Sequence, residues 1–314
     1  MKILELYSGI GGMHMAFTES RVEGEVKAAI EINNVANQIY KHNFPETNLL
    51  NLNIEGLTVK IIEKLDVDTI LMSPPCQPFS RNGNQNDVND HRTDSFRHIL
   101  NLLPKLNIKN LLIENVKGFE VSEMRNILIN ALVECNYHYQ EFILSPSQFN
   151  IPNCRHRYYC LAKKEAFKFA TTSLMEQLPL NIPSDSIYAK IEDILDKDED
   201  YENYCLPDNV LKKRLNVVDI CYSESEMSCC FTKAYGRYIE GTGSIFTELK
   251  EQDVIKKLQI LKTFREIAKL MCFPKYFSFP SYITKKQKYM LLGNSINVTV
   301  VSYLIKLLAA YFVI

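Results

Sequence analysis

The amino-acid sequence predicts an α/β protein built on an open sheet, and three observations lead there. Ile3-Leu4-Glu5-Leu6-Tyr7 reads as a strand that runs into the glycine turn Ser8-Gly9-Ile10-Gly11-Gly12, and Met13, Ala16 and Phe17 then suggest a helix. Strand, glycine turn and helix open a nucleotide-type βαβ unit. Glu31 lies near the end of the next apolar run, about 20 residues after Gly12, where such units carry the acid that meets a ribose. Finally, the apolar runs Thr69–Met72 and Leu111–Ile113 deliver Cys76 and Glu114 to strand ends. That edge is where open α/β sheets bind ligands.

Composition bounds the classes of function. The chain has 314 residues, 46% hydrophobic and 23% charged, enough for one large domain or two smaller ones. Its net charge is −1, so no strong global field attracts nucleic acid and any such contact must use local patches. The nine cysteines are scattered, with no CxxC pair. They read as reduced thiols of the cytosol or nucleus, not as a secreted disulfide scaffold. Glu5 stands where a signal peptide needs an apolar core, and no apolar run reaches the roughly 18 residues of a membrane span. Neither a leader, a membrane contact nor a metal site is expected.

The elements follow in order. The first glycine turn departs from G-x-G-x-x-G, because His14 stands where the third glycine belongs. That counts against NAD and leaves another adenosine-bearing cofactor open. Val26–Ile32 is the second strand; Glu31 can accept hydrogen bonds from ribose hydroxyls, and Ile32 suits an adenine face. Val35, Ala36, Ile39 and Tyr40 mark a helix, and Asn51–Ile54 a third strand end.

The fourth strand leads to Ser73-Pro74-Pro75-Cys76-Gln77-Pro78-Phe79-Ser80. Three prolines stiffen this loop. A thiol held there is placed as a nucleophile, although most free cysteines are merely buried. Residues 81–93 are almost wholly polar and read as a mobile loop with the character of a lid. Phe96, Ile99, Leu100 and Leu103 share a helical face. Glu114 is expected beside Cys76, with a pKa raised by burial that would suit a proton donor. Met124, Ile127, Leu128 and Leu132 mark a further helix, and Tyr139–Leu144 and Tyr158–Leu161 two strands.

Arg155 and Arg157, at i and i+2 of an extended segment, point to one side, where they can hold a phosphate or a base carbonyl. From residue 165 to 284 the βα rhythm is lost. Ser228–Tyr238 mixes basic and aromatic residues, as single-stranded nucleic-acid contacts do and as ordinary cores also do. Phe264–Cys272 is a helix, and a glycine turn at Gly293 opens an apolar C-terminal helix.

Four stretches, in this order, resemble the cytosine-5 methyltransferases that use S-adenosylmethionine: Pro74-Pro75-Cys76-Gln77, Glu114-Asn115-Val116, Arg155-His156-Arg157 and Gly293-Asn294-Ser295. The likeness covers nearly the whole chain. Cys230-Phe231-Thr232 with Lys233–Gly236 is similar to the signature of the branch that methylates transfer RNA. The resemblance implies a Rossmann-like, mostly parallel sheet with helices on both faces. Residues 1–164 and 285–314 would form the catalytic domain, and 165–284 a small target-recognition domain.

The resemblance also implies roles. Cys76 is the nucleophile, Glu114 contacts the cytosine ring, and Arg155 and Arg157 support base and loop. S-adenosylmethionine, and its product S-adenosylhomocysteine, fall on Ile10, Gly11, Gly12, Glu31, Ile32, Asn53, Ile54, Ser73, Pro75, Ser95, Asn294 and Ser295. The nucleic acid falls on Cys230, Thr232, Lys233 and Arg237. One position departs: many DNA enzymes of the family place an aspartate near Asn53 to meet the adenine amino group, and Asn53 offers an amide oxygen without the charge.

The implied reaction is methylation of carbon 5 of a cytosine at position 38, in the anticodon loop of aspartate tRNA, through a covalent cysteine adduct at carbon 6. A monomer in the cytosol or nucleus is expected, with DNA a weaker partner. Three other readings stay open: a DNA cytosine-5 methyltransferase, a nucleic-acid-binding module without catalysis, and a nicotinamide-dependent oxidoreductase. The intact Cys76 and Glu114 argue against the second, and the proline-cysteine loop is unexplained by the third.

Overall fold

The apolar runs read as strands form the centre of a seven-stranded sheet in the computed structural model. It describes residues 1–75, 93–180, 182, 189–196, 204–206, 213, 215–238, 240–248 and 263–310. Cys76 and the polar stretch up to residue 92 lie outside the described residues. The strands are β1 (Lys2–Leu6), β2 (Glu25–Ile30), β3 (Leu49–Leu50), β4 (Thr69–Met72), β5 (Asn110–Val116), β6 (His138–Leu144) and β7 (Arg157–Lys163). Their order is β3-β2-β1-β4-β5-β7-β6. The first five in that order are parallel, and β7 runs antiparallel to β5 and β6. The order reverses between β1 and β4, the switch point at which open sheets form a ligand crevice.

The two-residue period of the strands assigns their faces. Leu4, Leu6, Ile30, Ile70, Met72, Leu111 and Ile113 share a core with Phe96, Ile99 and Leu100 of α4 (Asp94–Leu102) and Met124, Leu128 and Leu132 of α5 (Glu123–Glu134). Each such side chain is worth about 1.5–3 kcal/mol on burial. On the opposite face Tyr40 of α2 (Asn34–Asn43) reaches Glu5, and Lys163 donates to the carbonyl of Leu308. Helices therefore cover both faces, as expected. The remaining helices of the described residues are α1 (Gly12–Ser20), α3 (Val59–Lys64), α6 (Phe264–Leu270), α7 (Lys285–Asn294) and α8 (Val298–Leu308).

Three local expectations are corrected. The third strand ends at Leu50, and Asn53 caps the short 3-10 turn Ile54–Gly56; asparagine is a strong N-cap residue. Glu114 is not past the end of β5 but within it, paired with Tyr159 of β7, because pairing with β7 outlasts pairing with β4. Gly293 opens no helix: it lies inside α7, and the last helix starts at Val298. Its glycine is needed for close approach, since a Cβ there would lie 2.3 Å from the backbone of Thr232 and Lys233.

The chain divides into two compact units. One holds Met1–Leu144, His156–Asn181 and Val300–Ile314; the other holds Ser145–Arg155 and Ile182–Thr299. The second contains a parallel pair, β8 (Asp219–Cys221) and β9 (Ser244–Phe246), with α6 and α7. The aromatic residues of Ser228–Tyr238 do not all stay outside. Phe231 and Tyr235 are buried and meet edge to face at 4.9 Å, and Tyr235 packs on Tyr289 at 5.5 Å. Lys233, Arg237 and Tyr238 are exposed. By length and composition Lys285–Leu308 would pass for a membrane span, longer than the sequence reading allowed, yet 72% of its apolar window is buried, as in a core helix.

Candidate active site

The glycine turn after β1 is built from backbone that only certain residues tolerate. Gly9 has φ +52° and Gly11, the N-cap of α1, φ +87°, the left-handed region in which glycine has no steric penalty. A Cβ on Gly11 would also lie 2.5 Å from the Phe44 ring, whereas one on Gly9 would meet only Tyr7 O at 4.0 Å. The space over Gly9 is thus open to a ligand. Ile10 is buried, and Gly12 begins α1.

Glu31 follows β2 and ties this turn to the sheet. Its carboxylate accepts the N–H groups of Gly9 at 3.0 Å, Ile32 at 2.9 Å and Asn33 at 2.8 Å. A carboxylate has about four acceptor positions, so with three taken by backbone N–H groups capacity for a ligand hydroxyl remains. Ile32 beside it is 64% exposed, an apolar face in the position expected for an adenine. Asn53 and Ile54 follow β3, the strand next to β2. The Asn53 amide oxygen accepts from Glu55 N at 3.3 Å, and Ile54 is buried.

Sequence reasoning missed the support beneath the turn. Glu5, fully buried in β1, accepts from Tyr40 Oη at 2.8 Å and from His14 N at 3.3 Å. The His14 ring lies 2.9 Å from Tyr40 Oη through Nδ1 and stacks on Phe44 at 3.7 Å. Burial pushes the Glu5 carboxyl up to about 8 and the His14 imidazole down to about 4. The available signal was a lone acid inside an otherwise apolar strand. Ser8 Oγ is buried in the same turn and has no hydrogen-bond partner among the described residues. An orphaned hydroxyl, open space over Gly9 and a carboxylate with acceptor capacity fit an adenosine-bearing cofactor.

The next strand brings the proline loop to this edge. Met72 pairs with Leu6 on one side and Ile113 on the other, so Ser73, Pro74 and Pro75 leave between the glycine turn and Glu114. Asn115 Nδ2 donates to Pro74 O at 3.4 Å, fastening Pro74, two residues before Cys76 in the chain, to β5. Glu114 is buried, and Arg157 Nε lies 3.5 Å from its Oε1. The acid is therefore ion-paired with the arginine two residues after Arg155, a partner that the sequence reading did not name. Ser95 accepts from Tyr7 Oη at 3.1 Å at the same edge.

The two arginines do not share a target. β7 starts only at Arg157, so the strand alternation does not extend back to Arg155. Arg155 is buried and donates to the carbonyls of Phe231 at 2.9 Å, Gly293 at 3.1 Å and Ser295, with Cys230 Sγ 3.4 Å from its Nη1. It clamps the Cys230–Thr232 segment to the end of α7, where Asn294 is the last helical residue and Ser295 the C-cap. Thr232 Oγ1 accepts from Ala234 N at 3.3 Å.

Comparison with known proteins bears on this arrangement. The sequence model of a family described as C-5 cytosine-specific DNA methylase matches residues 1–310. A Spodoptera frugiperda protein named tRNA (cytosine(38)-C(5))-methyltransferase is 49% identical, covering 98% of each chain. A Dictyostelium discoideum protein named DNA (cytosine-5)-methyltransferase is 37% identical, covering 99% of this chain and 94% of its own. The crystal structure of a mutant Spodoptera frugiperda DNMT2 is similar in fold, with a TM-score of 0.88 and 48% identity over 98% of this chain and 99% of that one.

Proposed function

Because the chain belongs to the C-5 cytosine-specific methylase family, we propose that it methylates carbon 5 of a cytosine in transfer RNA, with S-adenosylmethionine as methyl donor. The finer reading is cytosine 38 of the anticodon loop of aspartate tRNA. The observation that carries the cytosine chemistry is the edge at β4 and β5, where buried Glu114 and its partner Arg157 stand beside the residues that lead into Cys76. Residues 1–164 with 285–314 are assigned to catalysis and 165–284 to target recognition; every strand of the large sheet lies in the former.

S-adenosylmethionine, when bound, supplies an electrophilic methyl group. Ser8, Ile10, Glu31, Ile32 and Asn53 would hold it. Cys76, as thiolate, adds to carbon 6 of the cytosine, which makes carbon 5 electron-rich. Glu114 holds a proton at ring N3 and so takes up the charge that develops as the carbon–sulfur bond forms, and Arg157 keeps that carboxyl in place. Carbon 5 would then take the methyl group, with S-adenosylhomocysteine as the leaving product, and loss of the carbon-5 proton to solvent would expel the Cys76 thiolate and restore the ring as 5-methylcytosine.

A second reading, DNA as substrate, is favoured by the family description and by the Dictyostelium relative. An anticodon loop presents its cytosine unstacked, whereas a duplex must first be opened. Equal concentrations of aspartate tRNA and a cytosine-rich duplex, one labelled methyl donor and the wild-type chain decide between them. Label is expected in the tRNA; label mainly in the duplex would reverse the assignment. Cys76→Ala is expected to abolish transfer in either substrate while leaving cofactor affinity unchanged.

A further inference from the structure

From Ile267 to Ile314 the chain carries six lysines and neither aspartate nor glutamate, although its overall net charge is −1. Lys269 is taken up by Asp196 at 2.6 Å, and Lys306 lies by Tyr303 in α8. The other four fall within a short stretch of the chain: Lys275 precedes α7, and Lys285, Lys286 and Lys288 lie in its first turn and a half.

Aromatic residues of the same stretch fall into two sets. Phe264, Phe273, Phe277 and Phe279 pack on one another with ring centroids 4.4–5.7 Å apart, and Lys288 Nζ lies 4.0 Å from the Phe264 ring. This cluster makes a firm base. Tyr276 and Tyr282 stay on the surface, 61% and 67% exposed.

Local stability does not account for the charge. Cations at a helix N-terminus oppose the macrodipole, yet α7 begins Lys285-Lys286 and has no acid in its first turn. The reciprocal Thr284–Gln287 cap satisfies backbone groups and leaves that repulsion in place. Among the described residues no acid pairs with Lys275, Lys285 or Lys286; Lys285 lies instead over the Tyr204 ring at 4.2 Å.

We propose that Lys275–Lys288 is a second RNA-contact surface, apart from Lys233–Tyr238, in which the lysines follow phosphates and Tyr282 and Tyr276 stack on unpaired bases. It rests on the reading of RNA as substrate. The pairing of lysines with exposed aromatic faces favours single-stranded or looped RNA over an acidic protein, which would use the charges alone.

Three variants of the full chain separate binding from folding. Lys285→Glu with Lys286→Glu should raise the thermal midpoint, because acids suit that helix end, and yet weaken tRNA binding more than tenfold. Lys275→Ala with Lys285→Ala and Lys286→Ala should lower the slope of log K against log salt by about 2, three contacts at ~0.7 each. Tyr282→Ala should weaken binding about tenfold without changing the slope. S-adenosylmethionine affinity should be the same in all. Unchanged tRNA affinity and slope in these variants, with a wild type that methylates tRNA, overturns the surface alone. So does intact tRNA binding with lost adhesion to phosphatidylserine vesicles, which would assign the patch to a membrane. A wild type that methylates no tRNA overturns the proposed function instead.

Discussion

Glu5 shows how much one side chain can weigh. An ordinary carboxyl titrates near 4.5, and Glu5 is pushed up to about 8, by burial above all, against the opposing hydrogen bonds from Tyr40 and His14. Between those values the folded chain keeps a proton that the unfolded chain has lost, so stability falls as pH rises, by about 1.4 kcal/mol per unit. His14 acts oppositely. Burial lowers it from 6.5 to about 4, so within that range the unfolded chain binds the extra proton and stability rises with pH. The two offset each other up to about pH 6.5, and Glu5 stands alone from there to about 8. Urea midpoints are expected to fall across pH 6.5–8, and Glu5→Gln to flatten the fall. The same fall in Glu5→Gln would mean that another group titrates there.

At the scale of elements, α7 packs directly on the Thr232–Lys233 backbone. Gly293→Ala gains helix propensity worth about 1 kcal/mol. Its Cβ, however, would lie 2.3 Å from backbone atoms of Thr232 and Lys233, which cannot yield as a flexible side chain would. Overpacking of this kind costs about 1–3 kcal/mol or more, and the shift would strain the Arg155 bonds to Phe231, Gly293 and Ser295. Gly293→Ala is therefore expected to lower stability in urea denaturation despite its better propensity. A variant as stable as wild type would show that the segment can move aside. The same contact explains a misreading of the sequence: glycine before a helix and glycine inside a crowded helix look alike until the neighbouring segment is placed.

For the molecule as a whole, a cofactor that binds only the folded chain stabilises it by mass action. At a hundredfold excess over Kd, S-adenosylmethionine should add about 2.7 kcal/mol. NAD should add nothing, and Glu31→Ala should remove most of the gain; a thermal shift with NAD would favour the oxidoreductase reading. The sequence by itself determined most of the strands and helices of the first unit, though not α3 (Val59–Lys64), together with the glycine turn, the acids near strand ends and the family motifs. These depend on short-range period and turn chemistry, which a single chain displays directly. Tertiary structure alone decided the order β3-β2-β1-β4-β5-β7-β6, and with it the meeting of Pro74 with Asn115 and of Glu114 with Arg157. It also sent Arg155 to three backbone carbonyls, drew Phe231 and Tyr235 inside, and left Tyr276 and Tyr282 outside. Such partners are chosen by strand pairing and packing between residues far apart in the chain, and spacing along the sequence carries no record of which distant segment will arrive.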